Sequence, residues 1–209
     1  MINSFEEKFN KLKETYDDFC FLGGRKKILL SAPHSVSQTR DGVVKPAEPE
    51  TAIISLFFNE KNYPCIIKTT NNSDDANHSL NSNYKTKMLE IFNSEKVKFL
   101  IDLHELNSKR EMDFCIGIGG ENYNNLLSYS YITKQLIDIF NNSGYTVEIN
   151  NPFGAGKPHT NAGFIARKGF PSIQLEINSR LVFGVSEQEF FKVIFTIEKI
   201  LNYIEKELN

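Results

Sequence analysis

The stretch "VKFLIDLH", residues 97–104, decides how this chain folds. It is short, apolar except at Lys98 and Asp102, and it stops on an imidazole. A strand with one face in water would alternate apolar and polar residues, whereas a nearly continuous apolar run marks a strand covered on both faces. Alternation still matters at its end, where it turns Asp102 and His104 to one face and Leu103 to the other. Similar short runs recur in "KKILLSA" (26–32), "PCIIKTT" (64–70), "MDFCIGI" (112–118) and "PSIQLEI" (171–177), with "YTVEI" (145–149) also extended. Helical patterns lie between them. Phe5, Phe9, Leu12 and Tyr16 share one face of residues 4–19, with Ser4 and Glu7 spaced as a capping box. Residues 50–61, 84–94 and 126–142 also read as helices, and so does 186–208, where Ser186 and Glu189 form a second capping box. Covered strands alternating with helices imply an α/β fold with a largely parallel sheet.

The chain has 209 residues, 40% hydrophobic and 24% charged, which suits a single domain over 1–209. Its formal net charge is -2 with no block of like charge, so no nucleic-acid partner is expected. Cys20, Cys65 and Cys115 are odd in number and far apart. They exclude a cysteine zinc knuckle or a C-x-x-C redox pair and fit a reducing compartment. The N-terminal stretch is too charged for a signal peptide, and no run is long enough to span a bilayer. No membrane association is expected, and the cytoplasm is the expected location.

In open α/β sheets ligands bind beyond the carboxyl ends of the strands. Three apolar strands each deliver an ionisable group there: His34 just past "KILLSA", Asp102 and His104 on "VKFLIDLH", and Glu176 near the end of "PSIQLEI". Such groups are costly to bury unless paired or bound to a metal. His34, His104 and a carboxylate from "KPAEPETA" (45–52) make the two-imidazole, one-carboxylate set common at catalytic zinc, which leaves a position for water. No short pattern such as H-E-x-x-H vouches for it, and spacing alone fits a pair of ordinary loop histidines as well. Asp102 suits either a carboxylate orienting a ligand or a cap of the next element. Glu176 reads as a general base or as a partner of Arg180 or Arg167. Arg40, Arg110 and Arg167 lie in or beside loops at the same edge and suit capture of a substrate carboxylate, or are solvated charges. His159, in the Gly/Pro loop of 150–163, is a substrate contact or simply exposed. "GIGG" (117–120) is followed by no Lys-Ser/Thr and is not a phosphate loop.

Several blocks in this order resemble the N-formylglutamate amidohydrolase family, whose fold is similar to that of the zinc carboxypeptidases. The likeness runs from about Lys27 to Val182 through "ILLSAPHS", "TRDGVVKPAEPETA", "DDAN", "LIDLHE", "NPFGAGKPHTNAGFIARKG" and "PSIQLEINSRL". It implies a three-layer α/β/α sandwich on a mostly parallel mixed sheet, of the phosphorylase/hydrolase-like type. It implies that His34 and His104 hold zinc with Glu48 or Glu50, Glu48 being preferred. Glu176 becomes the general acid/base, Arg167 lies close to the substrate, and Arg40, Asn77, Arg110 and His159 are its other expected contacts. The expected reaction is hydrolysis of the amide of a small N-acyl amino acid such as N-formylglutamate, or of a related peptide-like amide carrying a carboxylate. Two features depart from the pattern. His78 follows Asp75-Ala76-Asn77 where the family often has an Arg, and the acidic ligand is Glu where it often has Asp. A carboxypeptidase-type peptidase and a non-catalytic binding protein are the other readings. Mn, Fe or Co would accept the same ligands as zinc.

Overall fold

The computed structural model describes residues 2–71, 75–94, 96–120 and 123–209. The chain opens with helix α1 (Ile2–Thr15) and strands β1 (Phe19–Leu22) and β2 (Ile28–Ala32). A hairpin of β3 (Gln38–Arg40) and β4 (Val43–Lys45) leads to α2 (Pro49–Glu60), β5 (Cys65–Lys68), α3 (Asn83–Ser94) and β6 (Phe99–Leu106). Then come β7 (Phe114–Gly117), the short pair β8 (Gly119–Gly120) and β9 (Tyr123–Asn124), and α4 (Thr133–Asn142). The chain closes with β10 (Val147–Ile149), α5 (Asn161–Arg167), β11 (Ser172–Asn178) and α6 (Glu187–Glu207). Seven strands form one sheet in the order β1-β5-β2-β6-β11-β7-β10. β1 runs antiparallel to β5, β7 runs antiparallel to β11, and the other neighbours are parallel. This is the mixed, mostly parallel α/β sheet expected. No helix among the described residues is long and apolar enough to cross a membrane.

Each face of the sheet has its own core. Ile28 and Leu30 of β2, Phe99, Ile101 and Leu103 of β6, and Ile173, Leu175 and Ile177 of β11 pack under α1, α2, α4 and α6. Leu29, Ile66 and Leu100 pack on the other side against α3 and α5. Full burial of each such side chain contributes about 1.5–3 kcal/mol relative to exposure. The second layer is short, since α3 has 12 residues and α5 has 7. It covers the start of the strands and leaves their ends to polar groups. On this face β6 runs from Leu100 to Asp102 to His104. Its register sets Ser31, Asp102 and Gln174 in one row and His104 beside Glu176 in the next.

The structure corrects several boundaries. α1 begins at Ile2, so Ser4 lies inside the helix and does not cap it. Phe19, expected in that helix, instead opens an edge strand. Residues 127–132 form a separate 3-10 turn ahead of α4. The capping box of Ser186 and Glu189 is present. Part of the polar loop expected over 71–83, residues 72–74, lies outside the described residues.

Candidate functional site

His34 follows β2 in a turn, Glu48 precedes α2, and His104 stands near the end of β6. The backbone brings the first two together, because Glu48 N–H donates to His34 O at 2.8 Å. Their side chains converge with His104. Glu48 Oε1 is 3.2 Å from His34 Nδ1, Glu48 Oε2 is 3.3 Å from His104 Nδ1, and the two Nδ1 atoms are 3.2 Å apart. One donor atom from each residue lies within 4.8 Å of the others. Glu48, not Glu50, faces the imidazoles.

The outer nitrogens explain the orientation of the inner ones. His34 Nε2 is 2.9 Å from Asp75 Oδ1, and His104 Nε2 is 3.0 Å from Asp102 Oδ2. Each carboxylate favours the tautomer with its proton on Nε2, which turns the Nδ1 lone pair inward. Both carboxylates are anchored in turn. Arg40 grips Asp75 Oδ2 through Nε at 2.9 Å and Nη2 at 2.7 Å. Asp102 Oδ1 accepts from Ser31 Oγ at 2.6 Å and Asn161 Nδ2 at 3.3 Å, and Ser31 Oγ meets Tyr84 OH at 2.9 Å. Buried Lys85 donates to Ala76 O, fastening the turn that carries Asp75.

Two lone pairs and a carboxylate pointed at one another repel unless protons or a cation lie among them. Burial alone would depress His34, but Glu48 and Asp75 outweigh it and raise its pKa. Burial is likewise outweighed at His104 by Asp102 and Glu48, leaving it well above the usual imidazole range. Burial would raise Glu48, yet His34 and His104 bring it down to about 2. The donor set therefore attracts positive charge strongly. Two imidazoles and one carboxylate, each imidazole backed by a second carboxylate, suit a divalent transition metal with a position left for water.

Glu176 lies beside His104 across the β6–β11 pair. It is buried, with 4% of its surface exposed, and accepts a hydrogen bond from Gln174 Nε2 at 2.6 Å. Burial, and then Glu48, raise its pKa to about 7 against the opposing pull of His104. Arg180, considered above as its ion-pair partner, goes instead to Asp113 at 2.7 Å.

A cavity of about 1300 Å³ is lined by His34, Glu48, His104 and Glu176 and by the expected substrate contacts Arg40, Asn77, Arg110, His159 and Arg167, while Asp102 lies behind it. Their engagements differ. Arg40 is committed to Asp75, as above. Arg167 donates to the carbonyls of Gly163 at 2.9 Å and Gly156 at 2.8 Å, so it braces the Gly-rich loop. Asn77 Oδ1 accepts from Asn161 N–H at 2.7 Å, and its Nδ2 lies 3.2 Å from His104 Nε2. Arg110 is exposed at the mouth, where Asn178 and Arg180 hold only its carbonyl. The Gly-rich loop lies tight on β8: a Cβ on Gly154 would stand 2.4 Å from Gly119 O, and one on Gly156 2.8 Å from Gly120 N. Close backbone packing requires glycine there. Sequence reasoning gave Asp75, Gln174, Ser31, Tyr84 and Lys85 no part in the site. Strand alternation was the available signal for Ser31 and Gln174, which share the face of Asp102.

No family model matches the chain, and no curated protein matches it. Solved structures do. A gene product of Agrobacterium tumefaciens superposes with a TM-score of 0.64 at 11% identity, covering 94% of this chain and 98% of that one. A bacteriophage poly-gamma-glutamate hydrolase gives 0.59 at 16% identity, covering 95% and 96%. N-formylglutamate amidohydrolase from Ralstonia eutropha gives 0.57 at 12% identity, covering 92% and 100%. These likenesses establish a shared fold over nearly the whole chain.

Proposed function

We propose that this protein is a metal-dependent amide hydrolase, with zinc the preferred ion. The observation that carries the reading is the convergence of His34 Nδ1, His104 Nδ1 and Glu48 beside buried Glu176. Two proteins that share the fold are named as hydrolases of N-formylglutamate and of poly-gamma-glutamate, which favours an amide substrate. A divalent cation held by His34, Glu48 and His104 would act as a Lewis acid on water and on the substrate carbonyl. Asp75 and Asp102 hold the two imidazoles with their lone pairs inward. Glu176 takes a proton from the attacking water as the C–O bond forms. It returns that proton to the leaving nitrogen as the C–N bond breaks, giving a carboxylate and an amine. A basicity near neutrality suits a group that must both accept and donate. Gln174 fixes the carboxylate through Oε1. Arg110 is the candidate for a substrate carboxylate, and Arg167 supports the loop that roofs the reacting carbonyl. The substrate is a small N-acyl amino acid or a short peptide-like amide. The three cysteines are buried and free, in keeping with a reducing compartment, which we take to be the cytoplasm.

The test is metal content after zinc loading, beside His34→Ala and His104→Ala, followed by a screen of N-acyl amino acids and short acidic peptides. Near-stoichiometric zinc, its loss in both variants and release of an amine from the amides are expected. Absence of zinc in the wild type, or full occupancy in both variants, overturns the ligand set. Bound zinc without amide cleavage moves the chain to the binding-protein reading.

A further inference from the structure

A chain of amide groups runs through the protein and ends on Glu176. Asn161, the first residue of α5, donates its backbone N–H to Asn77 Oδ1 at 2.7 Å. Asn77 Nδ2 lies 3.5 Å from Gln174 Oε1. Gln174 Nε2 donates to Glu176 Oε1 at 2.6 Å. Asn161 is fully buried, and Asn77, Gln174 and Glu176 are buried too. Among the described residues the bond from Gln174 is the one hydrogen bond that reaches the Glu176 carboxylate. Asn161 is also held from its side chain, where Nδ2 is 3.3 Å from Asp102 Oδ1.

A side-chain amide keeps its shape when its oxygen and nitrogen trade places, so its neighbours decide its orientation. A backbone N–H cannot be turned over. The first N–H groups of a helix have no partner within it, and a buried one needs an acceptor. Asn77 therefore presents its oxygen to Asn161, since the opposite orientation would set donor against donor. His104 Nε2, 3.2 Å from Asn77 Nδ2, does not compete, because its proton goes to Asp102. With Nδ2 facing Gln174, Gln174 must answer with Oε1. Its Nε2 is then left to the carboxylate two residues along the same face of β11. The polarity of one backbone N–H is thus passed through two amides and arrives as a donor on Glu176 Oε1. That oxygen is occupied as an acceptor, and the place for a proton is Oε2.

We propose that Asn77 and Gln174 are positioning residues that relay the Asn161 N–H to Glu176 and confine its proton transfer to one oxygen. This rests on the amide-hydrolase reading and extends it. The proton from the attacking water is taken up on Oε2 as the C–O bond forms. It leaves from Oε2 to the nitrogen as the C–N bond breaks, while Oε1 keeps its bond to Gln174 throughout.

The experiment turns the relay around. Asn77→Asp offers oxygens alone. It still accepts from Asn161, but it also draws Gln174 Nε2 to itself and leaves Gln174 Oε1 against Glu176. Gln174→Met keeps the length of the side chain and removes both polar atoms. Turnover of N-formylglutamate is measured per bound zinc. Gln174→Met should lower kcat by about tenfold and Asn77→Asp by about 100-fold, with KM of Gln174→Met within about threefold of the wild type. The double variant should recover to about the tenfold level, because the misplaced oxygen is gone. A role confined to packing gives the reverse, since two lesions then cost more than one. A second readout uses metal-free protein and no substrate. The side-chain NH2 signal of Gln174, identified by its loss in Gln174→Met, is followed by NMR. Glu176→Gln should shift it in the wild-type background and hardly move it in the Asn77→Asp background. A signal indifferent to Glu176→Gln, or equally sensitive in both backgrounds, overturns the relay. So does a double variant no faster than Asn77→Asp. The expected shifts without any amide cleavage uphold the relay and count against the hydrolase reading. Cleavage with unchanged kcat in Gln174→Met overturns the relay and leaves the hydrolase reading standing. If Asn77→Asp does not fold, Gln174→Met and the wild-type signal decide by themselves.

Discussion

Glu48 and Glu50 stand two residues apart at the head of α2, and His104 and Glu105 are neighbours on β6, yet the two pairs live under opposite rules. Glu48 faces His104 and His34 and is drawn down to about 2. Glu50 and Glu105 turn the other way and meet each other. Burial raises both above the usual carboxylate range, and Glu105 is raised further by Glu50. Glu50 Oε2 and Glu105 Oε1 have no hydrogen-bond partner among the described residues. One face of the strand thus gathers anions around groups that welcome a cation. The other confines two acids that must keep a proton. What a buried carboxylate does is decided by what stands across from it, not by its place in the chain.

Changes on the face of the proposed metal set are expected to have the largest effects. Glu176→Gln keeps the shape of the side chain and removes the proposed base. It should lower kcat by about 10²–10⁴-fold while metal content stays at the wild-type level. A variant of normal activity would remove Glu176 from the reaction. Glu48→Gln and Glu50→Gln then set the two faces against each other. The first should weaken zinc by more than about 100-fold in a competitive chelator titration, since an outer-sphere partner alone is worth about 10–100-fold. The second should leave zinc affinity within a factor of about three. Equal losses in the two would erase the distinction between the faces. Asp75→Asn and Asp102→Asn come next, each costing about 10–100-fold in zinc affinity with little change in melting temperature of the zinc-loaded protein. A loss confined to folding would show that these carboxylates only fill space.

The fold and the candidate ligand set were legible to different depths. The runs ending in Asp102, His104 and Glu176 fixed a parallel sheet, because uninterrupted apolar strands admit few other homes. The positions of His34 just past β2 and of His104 near the end of β6 were therefore readable. The choice between Glu48 and Glu50 was not. Both are acidic residues at one helix start, and it is the approach of the Glu48 carboxylate to His34 and His104 that shows which of them turns inward. The role of Asp75 was hidden for a similar reason, since its partner His34 lies 41 residues away and a loop has no periodicity to read. Arg40 and Arg167 looked like substrate contacts by residue type. A guanidinium equally suits an internal carboxylate or a pair of carbonyls, which is where these two are held. β1 escaped notice because an edge strand of four residues leaves little pattern.

The smallest expected effect concerns the far face and reads stability rather than metal. Glu50 and Glu105 have folded-state pKa values above those of the unfolded chain, so the folded protein binds more protons than the unfolded one once pH exceeds the ordinary carboxylate value of about 4.5. Stability from this pair is therefore complete below that pH and is lost as pH rises, because folding then requires either holding the protons or burying like charges together. Glu50→Gln removes one charge and supplies an amide N–H to the remaining carboxylate. In metal-free protein, urea unfolding at pH 4.5 should show the variant and the wild type within about 0.5 kcal/mol. At pH 8 the variant should be more stable by on the order of 1–2 kcal/mol, after allowance for the partial exposure of the pair. The titrations of His34, His104, Glu48 and Asp75 are common to both proteins and drop out of the difference. A gap that stays constant with pH, or that favours the wild type at pH 8, would mean that the two acids are not held in one confined site. Neighbouring residues on β6 and α2 would then no longer be divided into an anionic face and a proton-keeping one.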